Sequence, residues 1–234
     1  MNQITTCSFF RINGFSNKWW AFKQMKRGYH SLQGTHGLTF FKLLGTGGKN
    51  GFSSLPNFGI YVLFCVWESE KDANFFFKEN PVFESYKNRS TEQFTVYLNA
   101  AESHGSWDGI NPFTENSKVE SNMPVVVLTR ARIHFNKLWS FWSRVGKVSR
   151  SLEKYDGLEL SIGVGEWPLI QQATLSFWRT HAEMLDYAYK NKRHKEVVLL
   201  TRKLNWYKEE LFARFVPYKF EGVWEGKNVE NLVG

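Results

Sequence analysis

From Thr6 to Asn13 apolar and polar side chains alternate with the two-residue period of a half-buried strand. The period then lengthens. Behind Ser16, read as an N-cap, Trp19, Phe22, Met25 and Lys26 recur at helical spacing. Leu38 to Leu44 reads as a strand, and Gly59 to Trp67 as a β-branched and aromatic strand buried on both faces. Ser69 caps a helix opening Glu70-Lys71-Asp72-Ala73, Pro81 starts a second that reaches Asn88, and Phe94 to Ala101 is a closing strand. The same order then recurs. Val125 to His134 predicts a strand, Asn136 to Ser149 a helix, and Leu158 to Gly165 and Ile170 to Trp178 two strands. Thr180 caps helical segments through Leu204, and Leu211 to Phe220 is the last strand.

The recurrence extends to residues. Asn17-Lys18-Trp19-Trp20-Ala21-Phe22 returns 119 positions later as Asn136-Lys137-Leu138-Trp139-Ser140-Phe141, and the same shift aligns Phe9 and Arg11 with Leu128 and Arg130. Gly37-Leu38 returns as Gly157-Leu158, Trp67 as Trp178, and Gly105-Ser106-Trp107-Asp108-Gly109 as Gly222-Val223-Trp224-Glu225-Gly226. A repeat this long exceeds a solenoid unit, which spans roughly 20–50 residues. Each copy reads strand–helix–strand–strand–helix–strand, a ferredoxin-like βαββαβ unit. Such a unit has helices on one sheet face and needs cover on the other. The expectation is an α+β chain of two tandem ferredoxin-like units packed sheet to sheet as a dimeric-α+β-barrel-like fold. The first unit is 1–108, the polar stretch 109–123 a linker, and the second unit 124–234.

Composition narrows the class. Charged residues make up 22% and hydrophobic residues 42% of 234 positions, the balance of a globular chain. Aromatics reach 17%, so Trp and Phe are expected mainly as core filler. Cys7 and Cys65 form no close pair, which argues against a zinc ribbon or a disulfide framework. The start lacks the basic and apolar regions of a signal peptide, and the longest apolar run, Ile60 to Trp67, is short of the ~20 residues that span a bilayer. The expected location is cytoplasmic, with peripheral contact at the inner membrane face as an extension. The net charge of +8 is spread along the chain and reads as a solvated surface, then as attraction to anionic lipid. The R/K-G-F/Y-G/A-F-V-x-F/Y strand of RNA binders is missing, so no nucleic-acid partner is expected.

Several chemistries lack their residues. In Gly45-Thr46-Gly47-Gly48-Lys49-Asn50-Gly51, Asn50 stands where a dinucleotide fingerprint needs glycine and where a P-loop needs Ser or Thr. No H-E-x-x-H and no G-x-S-x-G occurs. A haem site asks for less: one axial His and an apolar pocket. His194 is the leading candidate. Its helical neighbours Val197, Val198 and Thr201 put it on an apolar stripe, and the first copy has Phe83 at the matching place. The plainer alternative is a hydrogen-bonded residue near a helix start, flanked by Arg193 and Lys195. His181 is the other imidazole considered. Arg130 and Arg132 share a strand face with Leu128 and His134, where a guanidinium can bind a haem propionate or polarise bound oxygen. The alternative is a structural salt bridge, which Arg11 at the matching place favours.

Specific phrases resemble a known family. They are Trp20-Ala21-Phe22-Lys23-Gln24-Met25, Gly37 through Gly47, Pro81-Val82-Phe83 with Tyr86, Leu128-Thr129-Arg130-Ala131, Phe141-Trp142, Ile162 through Pro168, and Trp206 through Phe215. Together they resemble the spheroidene monooxygenases of carotenoid biosynthesis over essentially the whole chain. The resemblance implies an oxidoreductase that introduces a keto oxygen beside the polyene end of an acyclic carotenoid, with haem b and its iron as cofactor. It also implies kinship with haem-binding barrel proteins such as chlorite dismutases, whose axial His comes from the helix before a unit's last strand. His194 lies on the corresponding helix here. The implied partners are an apolar carotenoid-like substrate, an electron donor that the residues do not name, a membrane surface, and a second copy in a homo-oligomer. Lys190-Asn191-Lys192-Arg193 departs from the family, which bears on substrate more than on fold. Peroxidase, dismutase or aldoxime-dehydratase chemistry on a small substrate, and a non-catalytic binding module, stay open as rivals.

Overall fold

A computed structural model describes residues 2–47, 56–144, 155–167, 169–190, 199–201 and 203–228. The first unit runs β1 (Ile4–Ile12), α1 (Phe15–Leu32), β2 (Leu38–Gly47), β3 (Pro56–Trp67), α2 (Glu70–Glu79), α3 (Pro81–Arg89) and β4 (Ser90–Gly105). The second runs β5 (Val125–Ile133), a short 3₁₀ turn (Phe135–Lys137) leading into helical residues 138–144 (α4), β6 (Leu158–Trp167), β7 (Gln171–Trp178), α5 (His181–Lys190), β8 (Tyr207–Trp224) and the two-residue β9 (Lys227–Asn228).

Local chemistry explains most boundaries. Ser69 caps α2 by accepting from the Asp72 N–H, and Asn80 caps α3 by accepting from Val82 and Phe83, with Pro81 at its first turn. The α1 start differs from the sequence expectation. Gly14, at φ 79°, precedes the helix with no side-chain cap, and Ser16 lies inside it. With ψ at 144°, the glycine holds positive-φ, extended backbone that a side chain would resist.

All main strands join one antiparallel sheet in the order β4-β1-β3-β2-β6-β7-β5-β8, and β4 pairs with β8 to close it into a barrel. Within it each unit keeps the ferredoxin-like order, β4-β1-β3-β2 and β8-β5-β7-β6. The two seams are unequal. The β4–β8 ladder runs from Phe94↔Gly222 to Gly105↔Leu211, whereas among the described residues β2 meets β6 only at Gly45↔Gly165 and Thr46↔Val164. The interior is filled by alternate residues of both half-sheets, including Phe9, Phe64, Phe94, Phe177 and Phe215, and by Trp107 and Trp224. Phe9 stacks on Phe94 at 4.3 Å, and Trp224 meets Phe94 edge-on at 5.2 Å. Burying each such ring contributes about 1.5–3 kcal/mol, so the interior is a packed core and not a channel. The polar segment after β4 is part of this packing. Phe113 enters the core against Phe64 and Phe215, while Asn116 and Ser117 donate backbone N–H groups to the Ala100 carbonyl.

Cross-strand pairing fixes how the copies correspond, and it corrects the sequence alignment in β1. Ile4 and Val125 each pair with the repeated tryptophan, Trp67 or Trp178, and the ladder irregularities after Arg11 and Arg132 coincide. Arg132, not Arg130, therefore holds the strand position of Arg11. Arg130 stands where the first copy has Phe9. The matched helices differ too: Trp20 packs against Tyr86 at 5.0 Å, while Trp139 is exposed and Phe141 is the buried ring of α4.

Candidate functional site

The outer faces of the two half-sheets, where helices pack, are both apolar at their ends, where in the second unit Val125, Val127 and Trp178 meet α5 and Ile133 meets Phe141 and Trp206, but they differ over the middle rungs. In the first unit Phe41, Leu43, Tyr61, Leu63, Cys65, Phe10 and Tyr97 meet α1, α2 and α3 in a continuous hydrophobic layer. The ladder Leu43↔Leu63↔Ser8↔Thr95 corresponds to Gly163↔Thr174↔Thr129↔Phe212. On either side, Phe41↔Cys65 becomes Ser161↔Ser176, and Tyr61↔Phe10 becomes Gln172↔Ala131. Tyr97 becomes Arg214. Two leucines, two phenylalanines and two tyrosines are thus replaced by Gly, Thr, Ser, Ala, Gln and Arg. Ser8 is buried and hydrogen-bonded to Thr95, whereas Thr129 at the same rung is exposed. A sheet face without its large side chains cannot hold a helix at the distance seen in the first unit without a void. Over these middle rungs the second unit therefore carries small and polar side chains where the first has core, with Phe212 in place of Thr95 the one exchange in the other direction, and this loss of side-chain volume defines a recess in the sheet face.

His181, the first residue of α5, stands at the edge of this recess. Its Nε2 is buried and has no hydrogen-bond partner among the described residues. Burial lowers its pKa from the ordinary 6.5, and the Arg214 guanidinium adds to the lowering. Arg214 donates to Glu102 at 2.6 Å and lies over the Phe212 ring at 5.2 Å. The pattern is an imidazole with one unpartnered buried nitrogen beside a paired cation; that nitrogen could supply one bond to a metal, and no group of three or more metal-ligating side chains occurs among the described residues.

A second polar cluster lies on the other face of the same sheet. The Arg130 side chain is 1% exposed and points into the barrel. It pairs with Glu209, donates to the Ser106 carbonyl at 3.4 Å, reaches Asp108 at 3.6 Å and lies over the Trp107 ring at 5.4 Å. Lys42 pairs with Asp108 and donates to Glu166 at 2.8 Å, and the Trp107 indole N–H donates to the other Glu166 oxygen at 2.8 Å. Burial pushes the Glu209 carboxyl up, but Arg130, the Gly109 N–H and Ser106 outweigh it and hold the group down at about 2. Burial works against the Lys42 ammonium, and Asp108 and Glu166 more than reverse that. A lesser version occupies the other end of the β4–β8 ladder. There Arg11 donates to Glu92 at 2.6 Å and lies over Trp224 at 4.5 Å, and Glu92 accepts from the Gly226 N–H as Glu209 does from Gly109.

The structure therefore brings Arg130 and Arg132 to the barrel side of β5, away from the recess. The Arg132 side chain makes no hydrogen bond or ion pair with the described residues, while its backbone pairs with Gln171 and Glu209. His194 lies outside the described residues, and so does most of the glycine-rich loop 45–57. Lys42, Glu166 and Glu209, which complete the ion cluster, all lie within the family-like phrases, but nothing in their spacing along the chain joins them into one site. The recess was legible in principle as a difference between copies, but only in the correct strand register.

Known proteins place the chain. It is 34% identical over 227 residues to the spheroidene monooxygenase of Rhodobacter capsulatus, covering 96% of this chain and 94% of that one. The Cereibacter sphaeroides enzyme of the same name is 34% identical over 97% of this chain and 70% of its own length. The chain belongs to the spheroidene monooxygenase family. That membership makes it an oxidoreductase. The Rubrivivax gelatinosus member is 33% identical over 89% of this chain. No protein-family model matches the chain. Among solved structures an aldoxime dehydratase superposes with a TM-score of 0.63 at 8% identity, over 98% of this chain and 86% of that one. That likeness establishes the barrel fold, into which the spheroidene monooxygenase sequence is built.

Proposed function

We propose that this protein is a haem-dependent oxygenase that introduces a keto oxygen beside the polyene end of an acyclic carotenoid. Membership in the spheroidene monooxygenase family supports the reaction and substrate class. The carrying observation is the recess on the outer face of the second sheet, at the rungs where the first unit is filled by Phe10, Phe41, Leu43, Tyr61 and Leu63.

The residues present fit a haem on that face. The barrel interior is closed to it, being filled by Phe9, Phe94, Phe177 and Trp224. The outer face combines small side chains with the orphaned, buried Nε2 of His181. His194 is the other residue that would hold the iron, and the two histidines compete for one role. Haem, when bound, supplies the iron that activates the oxidant, and the protein supplies position and dryness. Arg214 is the guanidinium on the recessed face and would balance a propionate. Arg130 and Arg132, on the barrel side, would act at a distance, Arg130 by fixing β5 against the turn after β4. The Thr129, Thr174 and Ser176 hydroxyls and the Gln172 amide line the space left for an apolar chain end and orient it with few polar groups.

Addition of haem to the purified protein should give a shifted Soret band, lost in whichever of His181→Ala and His194→Ala removes the ligand. Reduced protein supplied with oxygen and an acyclic carotenoid should yield a ketone. A wild-type protein that neither shifts the Soret band nor forms the ketone overturns the reading.

A further inference from the structure

We infer that the outward face of α1 is a docking surface for an anionic lipid bilayer. Phe15 is 86% exposed, Trp19 51% and Phe22 47%, and they recur at the i, i+4, i+7 spacing of one helical stripe. Phe58, 47% exposed at the start of β3, extends the stripe. Three of the rings form one continuous patch, with Trp19 stacked on Phe22 at 5.8 Å and Phe22 edge-on to Phe58 at 5.7 Å, and Phe15 stands one turn before Trp19. The helix does not need these residues for its core. Its inward face is already supplied by Trp20, Ala21, Met25 and Leu32.

Charge selects the occupant. From Phe15 to Leu32 the helix carries Lys18, Lys23, Lys26 and Arg27 and no Asp or Glu. Lys23 lies over the Trp19 ring at 5.1 Å, and Lys26 and Arg27 are exposed. Exposed Trp and Phe bordered by lysines match the boundary between headgroups and acyl chains, where aromatic rings settle and cations meet anionic lipid. A second copy of the chain would bring two acid-free cationic faces together, which like-charge repulsion opposes. Among the described residues no helix is long and apolar enough to cross a membrane, so contact through α1 would be peripheral. The reason for docking rests on the proposed carotenoid reading, since such a substrate dissolves in the bilayer.

Flotation of the full chain with phosphatidylcholine vesicles, with and without phosphatidylglycerol, tests this. Wild type should float with the anionic vesicles and be released by salt. Lys23→Gln/Lys26→Gln/Arg27→Gln should lower partitioning about fivefold per cation removed. Phe15→Ser/Trp19→Ser/Phe22→Ser should abolish it while keeping the wild-type melting temperature. An aromatic variant that unfolds is replaced by Trp19→Ser alone, which should still float less. Flotation that is absent in wild type, or unchanged in the variants, overturns the inference. So does a change in sedimentation from dimer to monomer without a change in flotation, which would assign the patch to a second copy. Oxidation of a detergent-dissolved carotenoid separates the two readings. The variants should keep that activity and lose it only on vesicle-borne substrate. No activity in detergent, with flotation intact, sinks the catalytic reading alone.

Discussion

Phe9 and Arg130 occupy the same rung of the two half-sheets. Phe9 pairs with Val62 and Phe94, and Arg130 with Ala173 and Leu211. A ring stacked in a dry core in one copy is, in the other, a guanidinium buried in that core and neutralised by Glu209. The smaller Ala173 and Leu211, in place of Val62 and Phe94, give the longer side chain its room. Its Nε and Nη2 make no hydrogen bond, so the pair is held by charge and by the Trp107 ring more than by a full set of donors.

Removing one partner of that pair should be costly. Glu209→Gln leaves Arg130 charged and buried, and the loss should be about 3 kcal/mol at pH 7, read from the urea midpoint. The double variant Glu209→Gln/Arg130→Met should recover much of it. The carboxyl is lowered from 4.5 to about 2, so its contribution is complete above 4.5 and fades as pH falls toward 2. Acid unfolding curves of wild type and Glu209→Gln should therefore converge across that window. Parallel curves would contradict the assignment.

Lys42 ties the short β2–β6 seam by pairing with Glu166, and its second-copy counterpart is Ile162. Lys42→Ile should cost on the order of 2 kcal/mol, because Glu166 and Asp108 lose their cation. Thermal melts of Lys42→Ile and Lys42→Ile/Glu166→Gln would show whether the second change restores part of the loss.

Filling the recess should separate stability from function. Ser161→Phe/Thr174→Leu installs the residues of the first unit at Phe41 and Leu63. The melting temperature should hold or rise, while haem uptake followed at the Soret band should weaken by at least about tenfold. Unchanged uptake would remove the recess from consideration as the cofactor site.

Gly105 and Gly222 are a symmetric pair with φ of 89° and 108°, and a Cβ at either would lie 2.1 Å from a backbone carbonyl oxygen, of Glu210 or Gln93. Alanine at either position should destabilise by more than about 1 kcal/mol, and by similar amounts, in chemical denaturation. A marked inequality would show that the two ends of the β4–β8 ladder are not equivalent.

The sequence by itself determined the order of elements, the doubling and the family. Alternation in β1, the β-branched run in β3, the cap at Ser69, the helix start at Pro81 and the repeated Gly-Leu and Trp landmarks are local signals, readable without a partner strand. It did not determine which residues of the two copies coincide. A match of Arg11 with Arg130 follows like letters, and their guanidiniums do reach corresponding glutamates, yet their strand positions differ by two. Only tertiary pairing shows this, because a shift of two keeps every side chain on its face and leaves the alternation unchanged. The same holds for the recess and the ion cluster. Gly163, Thr174 and Ser161 become neighbours only across strands, and Lys42 with Glu166 and Arg130 with Glu209 are linked through Asp108 only once the strands have formed the barrel.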